Sequence, residues 1–301
     1  MGNMGNMGDR LTRDLFAPAP RDPEFERNVL RQKEPGPPRW QPGRRILVGT
    51  SGYSFPDWVG PFYPLGLKRA DMLPFYSERF PAVEVNSTYY RVPPPRAMAQ
   101  MEAKTPPGFR FVVKAPQSLT HERRLDPVEI AAFRACLEPL QAADKLDGVL
   151  LQFPWSFRPD PPSRRLLAGA RAAFPDLPLW AEFRNAGWAA PDTFADLRAQ
   201  GLGYCIVDEP SLPGLMPPVI ELTAPAGYVR FHGRNAANWW GRGGGDRYDY
   251  LYSPPELMAW VAKIHDLARR AEKVYVFFNN CHAGQAARNA QLMQELLLRE
   301  G

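Results

Sequence analysis

Polar side chains recur near the ends of the short apolar runs of this 301-residue chain, where a buried strand should be apolar. Residues two apart in a strand share a face, and by that count the polar residues fall on one face. The set combines carboxylates and a lysine, which can move protons, with arginines and amides, which can hold an anion. Its members are Glu84, Asn86, Lys114, Gln152, Glu182, Arg184, Asp208, Arg230, His232 and Asn279.

This mixture of side chains predicts a catalytic group and an anion-binding group. The catalytic group comprises Glu84, Glu182, Asp208 and Lys114, with the carboxylates as general bases or metal ligands. The residues predicted to bind the substrate or an anion are Tyr53, Asn86, Arg184, Arg230, His232, Arg234, Arg247, Asn279 and Asn280. Paired carboxylates would also permit glycosidase-like chemistry, which depends on a carboxyl separation that a sequence does not supply.

A structural interpretation competes with the catalytic one. Buried charges need partners, so the three carboxylates could simply neutralise Lys114, Arg184 and Arg230 in an ionic plug. The amides of Gln152 and Asn279 would then satisfy loop backbones. Barrel enzymes build their sites at the C-terminal ends of the strands, and this regularity favours the functional interpretation.

The four histidines leave a divalent metal open as a cofactor. His121, His232 and His282 fall near the predicted mouth of the barrel, whereas His265 belongs to an amphipathic helix. No HxH or HExxH spacing concentrates the ligands. Cys281 stands beside His282 and could be a nucleophile, although a lone cysteine is more often inert.

Two loops support the prediction of an anion site. The loop after the seventh run combines Arg234, Arg242 and Arg247 with glycines and paired tryptophans, so it could close over a phosphorylated ligand; the alternative is a mobile surface loop. After the eighth run, residues 279–284 lead into a helix whose free N–H groups favour an anion. Barrels often bind phosphate beside strands seven and eight. The alternative for Asn280 is a helix cap.

The elements that must position these residues follow from an alternation of short apolar runs and helix-compatible stretches. The runs span residues 46–50, 82–86, 109–114, 148–153, 178–183, 203–208, 227–232 and 274–279. Helices are predicted near residues 68–80, 95–104, 127–143, 163–173, 191–200, 254–270 and 283–299. The alternation predicts a parallel sheet, and eight units favour a closed (β/α)8 TIM-type barrel. No GxGxxG follows the first run, and the proline-rich connection after the sixth run is predicted to be irregular.

Composition is that of an ordinary globular protein, with 45% hydrophobic and 23% charged residues. Residues 1–43 are proline-rich without periodicity, so we predict an irregular, partly disordered extension before one barrel domain at residues 44–301. Three widely spaced cysteines predict reduced thiols and a cytoplasmic location. No apolar run predicts a membrane span, and the net charge of +5 weakly favours nucleic acid or an anionic small molecule as the partner.

A series of short motifs runs in order through residues 46–299. They are Val48-Gly-Thr-Ser-Gly-Tyr, Phe80-Pro-Ala-Val-Glu-Val-Asn-Ser-Thr-Tyr-Tyr, Phe111-Val-Val-Lys-Ala-Pro, Thr120-His-Glu, Leu151-Gln-Phe-Pro, Glu182-Phe-Arg, Arg230-Phe-His-Gly-Arg, Arg247-Tyr-Asp-Tyr-Leu-Tyr-Ser and Phe278-Asn-Asn. Together they resemble the YecE-like family, a domain of unknown function. The resemblance implies a TIM barrel and no established activity. A histidine commonly follows the Asn-Asn pair in the family, whereas here Cys281 precedes His282, which puts a role for His282 in doubt.

These observations predict an enzyme, a hydrolase or lyase that acts on a phosphorylated or nucleic-acid-derived substrate at the C-terminal mouth of the barrel. Arg230, Arg234 and Arg247 would hold the anion while a carboxylate of the catalytic group serves as general base or metal ligand. The alternative is a non-catalytic module that binds nucleic acid or a phosphorylated metabolite. A third option is an inactive barrel that acts as a scaffold. No protein partner is indicated.

Overall fold

Eight parallel strands close into a barrel in which each strand pairs with the next along the chain and the last pairs with the first. The computed structural model describes residues 40–41, 43–241 and 246–299. The strands are β1 (Ile46–Ser51), β2 (Ala82–Val85), β3 (Arg110–Lys114), β4 (Leu146–Gln152), β5 (Leu179–Glu182), β6 (Gly203–Asp208), β7 (Ala226–Phe231) and β8 (Lys273–Phe278). The predicted (β/α)8 TIM-type barrel is confirmed, with strand bounds within two residues of those expected.

Helices connect the strands, except between β6 and β7, where residues 209–225 form the irregular connection that the prolines predict. The α-helices that the structure describes are α1 (Met72–Ser77), α2 (Ser87–Tyr90), α3 (Pro95–Glu102), α4 (Gln117–Thr120), α5 (Pro127–Ala142), α6 (Pro161–Ala173), α7 (Pro191–Gln200), α8 (Pro254–Arg270) and α9 (Gln285–Arg299). Proline begins many of them because its missing N–H would have no partner in a first turn. None of these helices is long and apolar enough to cross a membrane.

The predicted N-terminal extension falls almost wholly outside the described residues, so its boundary at residue 43 stays a prediction. Within the described part, Trp40 is buried, and its indole N–H donates to the carbonyl oxygen of Ser77 over 2.8 Å. Trp40 therefore packs with the barrel.

The barrel interior is filled in layers that leave the C-terminal mouth as the place for a site. Near the N-terminal ends of the strands, the Asp147 carboxylate accepts from Tyr275 Oη at 2.5 Å and from Lys273 Nζ at 3.1 Å. Above it the ring of Trp180 packs against those of Tyr228 and Tyr275, with centroids 5.1 and 5.4 Å apart. This aromatic layer supports the polar groups that lie closer to the mouth.

Candidate active site at the barrel mouth

A buried ionic centre, formed by Glu84, Glu182 and Arg230, lies between the aromatic layer and the mouth. The Arg230 guanidinium donates to Glu182 Oε2 at 2.5 Å and to Glu84 Oε1 at 2.7 Å, and all three side chains are almost completely buried. The second oxygen of Glu84 accepts from Tyr228 Oη at 2.6 Å. Two of the three carboxylates predicted as general bases, Glu84 and Glu182, are therefore bridged by one arginine.

His232 lies above this centre in its neutral form. Its Nδ1 faces Arg184 Nη2 at 3.3 Å and Asn279 Nδ2 at 3.1 Å. Because a guanidinium can only donate, Nδ1 accepts, and the ring proton lies on Nε2, which is 3.2 Å from Glu182 Oε1. Burial, reinforced by the charge of Arg184, lowers the pKa of His232 to about 3. His232 therefore carries no charge for an anionic ligand.

Arg184 is held by two carboxylates, one of which sequence reasoning missed. Its Nε lies 2.8 Å from Glu182 Oε1, and its Nη1 donates to Glu209 Oε2 at 2.6 Å. Burial raises the pKa of Glu209 to about 7, against the opposing effect of Arg184. Burial would also raise the pKa of Glu182, but the charges of Arg230 and Arg184 outweigh it and hold that pKa well below its ordinary value.

Glu209 could have been found from the alternation of inward-facing and outward-facing side chains along β6. Cys205 faces the ionic centre, with its Sγ 3.8 Å from Glu182 Oε2. Counting in twos from Cys205 leads to Glu209 and passes over Asp208. The prediction counted from the wrong residue because nothing in the apolar run marks which side faces inward.

Asp208 points away from the barrel interior, so the prediction that it shares the face of the other polar residues is wrong. Its carboxylate accepts from Trp260 of α8 at 2.8 Å and from Tyr252 Oη at 2.7 Å. Arg234 adds two further donors at 2.7 and 2.5 Å, and its remaining nitrogen lies 3.2 Å from Glu256. These contacts join the loop after β7 to α8. They leave neither Asp208 as a base nor Arg234 as an anion clamp.

Asn280 also takes a structural position outside the mouth. Its amide nitrogen donates to the carbonyl oxygen of Tyr250 at 2.8 Å and to Asn289 Oδ1 of α9 at 2.9 Å. His282 is half exposed, with Nε2 3.8 Å from Asp249. The anion site predicted at the start of the last helix is thus not assembled by Asn280 and His282.

Lys114 lies in a cavity of about 470 Å³ at the mouth. Its Nζ donates to Gln152 Oε1 at 2.7 Å and lies 4.1 Å from the centre of the Tyr89 ring. No carboxylate among the described residues forms an ion pair with it. Burial, with a further contribution from the charge of Arg230, lowers the pKa of Lys114 to about 7. Lys114 is consequently the predicted catalytic residue that remains available for chemistry.

Three other predicted residues belong to this end of the barrel. Tyr53 and Asn86 line the same cavity as Lys114, and the Oδ1 atom of Asn86 is buried without a hydrogen-bond partner among the described residues. Arg247 lines an adjoining cavity of about 290 Å³ that shares Lys114 with the first. The Nε atom of Arg247 is likewise buried without a described partner, whereas Arg242 lies outside the described residues.

His121 and Cys281 also lie near the mouth, and the shifts of their pKa values favour the uncharged forms. Thr120 Oγ1 lies 2.9 Å from Nδ1 of His121, whose ring packs edge-on against Tyr89; burial, helped by the charge of Lys114, lowers its pKa to about 4. The Cys281 thiol faces the carbonyl oxygen of Ser51, and burial raises its pKa. Within the described chain, no three His, Cys, Asp or Glu side chains form a group that could hold a metal ion. We therefore derive no step through a metal.

Comparison with known proteins gives the family of this barrel. Residues 47–301 match the family described as protein of unknown function DUF72. The UPF0759 protein YunF of Bacillus subtilis is 34% identical over 269 residues, which cover 84% of this chain and 94% of that protein. The UPF0759 protein YecE of Escherichia coli is 30% identical over 116 residues, or 38% of this chain and 39% of that protein.

Solved structures agree in fold and in sequence. The crystal structure of a DUF72 family protein from Thermotoga maritima has a TM-score of 0.79 and 41% identity, covering 85% of this chain and 100% of that one. A DUF72 family protein from Enterococcus faecalis has a TM-score of 0.76 and 29% identity, covering 84% of this chain and 95% of that one. The resemblance to the YecE-like family is confirmed, and the chain belongs to the DUF72 family of proteins of unknown function.

Proposed function

We propose that this protein is a lyase in which the amine of Lys114 forms an imine with a carbonyl carbon of a phosphorylated, nucleic-acid-derived sugar. The observation that carries the proposal is the contact set of Lys114, a partly buried amine that faces a cavity and has a neutral amide as its hydrogen-bond partner. A lysine that is desolvated without a carboxylate loses its proton readily and becomes a nucleophile.

The lowered pKa of Lys114 favours this chemistry, because it increases the fraction of neutral amine near pH 7. With a pKa of about 7, roughly half of the Lys114 side chains carry a lone pair at that pH. An exposed lysine, with a pKa of about 10.4, would be almost wholly protonated there. The low pKa follows from burial and from the charge of Arg230, against the opposing charges of Glu182 and Glu84.

The proposed sequence of bonds is balanced without a redox partner. The Lys114 nitrogen attacks the carbonyl carbon, and loss of water gives the imine. A base then removes a proton from the adjacent carbon, and the electron pair expels phosphate from the next carbon. Water hydrolyses the imine and restores the amine. We assign the proton transfer to His121, which is neutral and lines the smaller cavity together with Lys114.

A lyase fits the geometry better than a hydrolase. The carboxylates predicted to activate water for hydrolysis, Glu84 and Glu182, are both bridged by Arg230, whereas the amine of Lys114 has no ion-pair partner among the described residues. For the phosphate we assign Arg247, because no carboxylate among the described residues pairs with it and a guanidinium suits phosphate. This narrows the earlier expectation, in which Arg230 and Arg234 shared that role.

Reductive trapping tests the proposal. The protein is incubated with sodium cyanoborohydride and one sugar phosphate at a time: glyceraldehyde 3-phosphate, whose phosphate is on the carbon that the elimination requires, or 2-deoxyribose 5-phosphate or ribose 5-phosphate, which test imine formation alone. We expect a stable adduct on Lys114 with at least one of them, located by peptide mass spectrometry, because the reagent reduces an imine to an amine that no longer hydrolyses. Lys114→Arg is the matched control, since it keeps a cation in the cavity but cannot form the imine.

Adducts confined to exposed lysines such as Lys263, at the same level in the wild type and in Lys114→Arg, would overturn the proposal. Binding of these sugar phosphates with steep salt dependence, and their recovery unchanged, would instead support the non-catalytic alternative.

A further inference from the structure

A group of aromatic side chains surrounds the smaller cavity and is not used by the proposed chemistry. We call it the aromatic rim, and its members are Tyr89, Tyr90, Trp155, Trp239, Trp240 and Tyr248. Tyr90 is 78% exposed and Trp240 is 57% exposed, which is unusual for side chains of this size. Large apolar rings left in solvent beside a cavity indicate a surface on which a ligand packs.

Trp155 gives the rim a fixed wall. Its indole N–H donates to the carbonyl oxygen of Gly214, and its own carbonyl accepts from Asn185 Nδ2 at 3.0 Å. Gly214 has a φ of +81°, so this position of the irregular connection after β6 suits glycine. The ring of Trp240 meets Trp155 edge-on at 5.9 Å. A ring held in this way can stack on a ligand with little further loss of conformational freedom.

The charge of the smaller cavity is one-sided. Lys114, Arg184 and Arg247 line it, and none of the described residues that line it is Asp or Glu. Arg158 lies above the Trp155 ring at 5.4 Å and adds a cation beside the rim. Aromatic faces next to cations without carboxylates are suited to a planar ring joined to an anionic group such as phosphate.

We infer that the aromatic rim binds the base of a nucleoside phosphate, with the base stacked on the exposed face of Trp240, Trp155 bordering it on one side, and the phosphate directed toward Arg247. The inference rests on the proposed function in taking the ligand of the rim and the substrate of Lys114 to be parts of one molecule. It deepens that function by naming the substrate class: a sugar phosphate that is joined to a neighbouring, base-bearing nucleotide.

A neutral carbohydrate suits the rim less well. Its hydroxyl groups would need acceptors as well as donors, and the carboxylates nearest the mouth are engaged with Arg230 and Arg184. The two cavities, of about 470 and 290 Å³, together match the size of known small-molecule sites. A single nucleotide and one nucleotide of a single strand present the same chemistry, so the experiment must distinguish them.

The test measures binding by isothermal titration calorimetry, with AMP, ribose 5-phosphate and an oligothymidylate as probes. AMP differs from ribose 5-phosphate by its base and has no free carbonyl, so its binding does not depend on imine formation. We expect AMP to bind about ten-fold tighter than ribose 5-phosphate, as stacking of one base should provide. Trp240→Ala and Tyr90→Ala should remove most of that difference, whereas Leu298→Ala, a similarly exposed residue on α9, should not.

Each result decides the inference. Preference for AMP assigns the rim to free nucleotides, and Trp240-dependent binding of the oligothymidylate alone assigns it to a strand. Equal binding of AMP and ribose 5-phosphate without oligothymidylate binding, or base-dependent binding that Trp240→Ala leaves unchanged, overturns the inference. An adduct on Lys114 together with such a negative result would keep the lyase proposal and reject the rim. Rim binding without an adduct would do the reverse.

Discussion

Two sides of the same mouth differ in how their charges are satisfied. On the side of β5 to β7, the cations Arg184 and Arg230 each contact two carboxylates. On the side of β3 and β4, Lys114 contacts an amide and an aromatic ring. Arg184 and Arg230 are buried and Lys114 is partly buried, and the two sides differ chiefly in the partners of these cations. A buried charge with its counter-ions supports the structure, whereas one without them is destabilised and reactive.

The comparison separates two interpretations that the sequence left open. The ionic plug exists, but it is built from Glu84, Glu182 and Glu209 around two arginines, and it does not include Lys114. The functional interpretation therefore stays open on the side of β3 and β4, where Lys114 lies. On the side of β5 to β7 the structural interpretation fits the contacts better. Two properties can be measured separately: whether the plug stabilises the barrel, and whether Lys114 behaves as an ordinary lysine.

The largest effect is expected from removing the central cation. Arg230→Met leaves Glu84 and Glu182 buried without it, so we expect the free energy of unfolding to fall by about 3–5 kcal/mol in urea denaturation. Arg270→Met is the matched control, because Arg270 forms an exposed ion pair with Asp266 on α8. Its effect should stay below about 0.5 kcal/mol. Equal effects of the two substitutions would show that the plug does not stabilise the barrel.

A smaller effect is expected at Asp208. Asp208→Ala leaves the buried Tyr252 hydroxyl and Trp260 indole N–H without their acceptor, which should cost about 2 kcal/mol in the same measurement. Reductive adducts at Lys114 should be unaffected, because Asp208 lies outside the mouth. Loss of the adducts in a variant that remains folded would return Asp208 to the catalytic group.

The fold could be predicted almost completely from the sequence, because each strand and each helix has a hydrophobic pattern that extends over many residues. The closed barrel, the irregular connection after β6 and the start of α8 at Pro254 all follow from hydrophobic runs and proline positions. Strand ends shifted by one or two residues, as they do when caps rather than patterns decide them. Because each element is predicted from a whole segment, an error at one residue does not change the predicted fold.

The site depends on single contacts, and these were predicted only in part. The sequence indicated that charged residues meet at the mouth. It did not show which residues of β6 face inward, so Asp208 was predicted where the structure places Glu209. The sequence also could not show which cation each carboxylate pairs with, because the partners of Arg234 and Arg230 come from distant strands and from α8. Lys114 became distinctive only when its neighbours were seen to lack a carboxylate.

The most direct test of this account is the titration of Lys114 in the intact protein. Competitive labelling with acetic anhydride across the pH range, with free Nα-acetyl-lysine as the internal standard, reports the neutral fraction of the amine by peptide mass spectrometry. Because the folded pKa is lowered, labelling of Lys114 should rise with pH through a midpoint of about 7 and then level off. A midpoint near the ordinary lysine value of about 10.4 would show that Lys114 is protonated at neutral pH and is not the nucleophile.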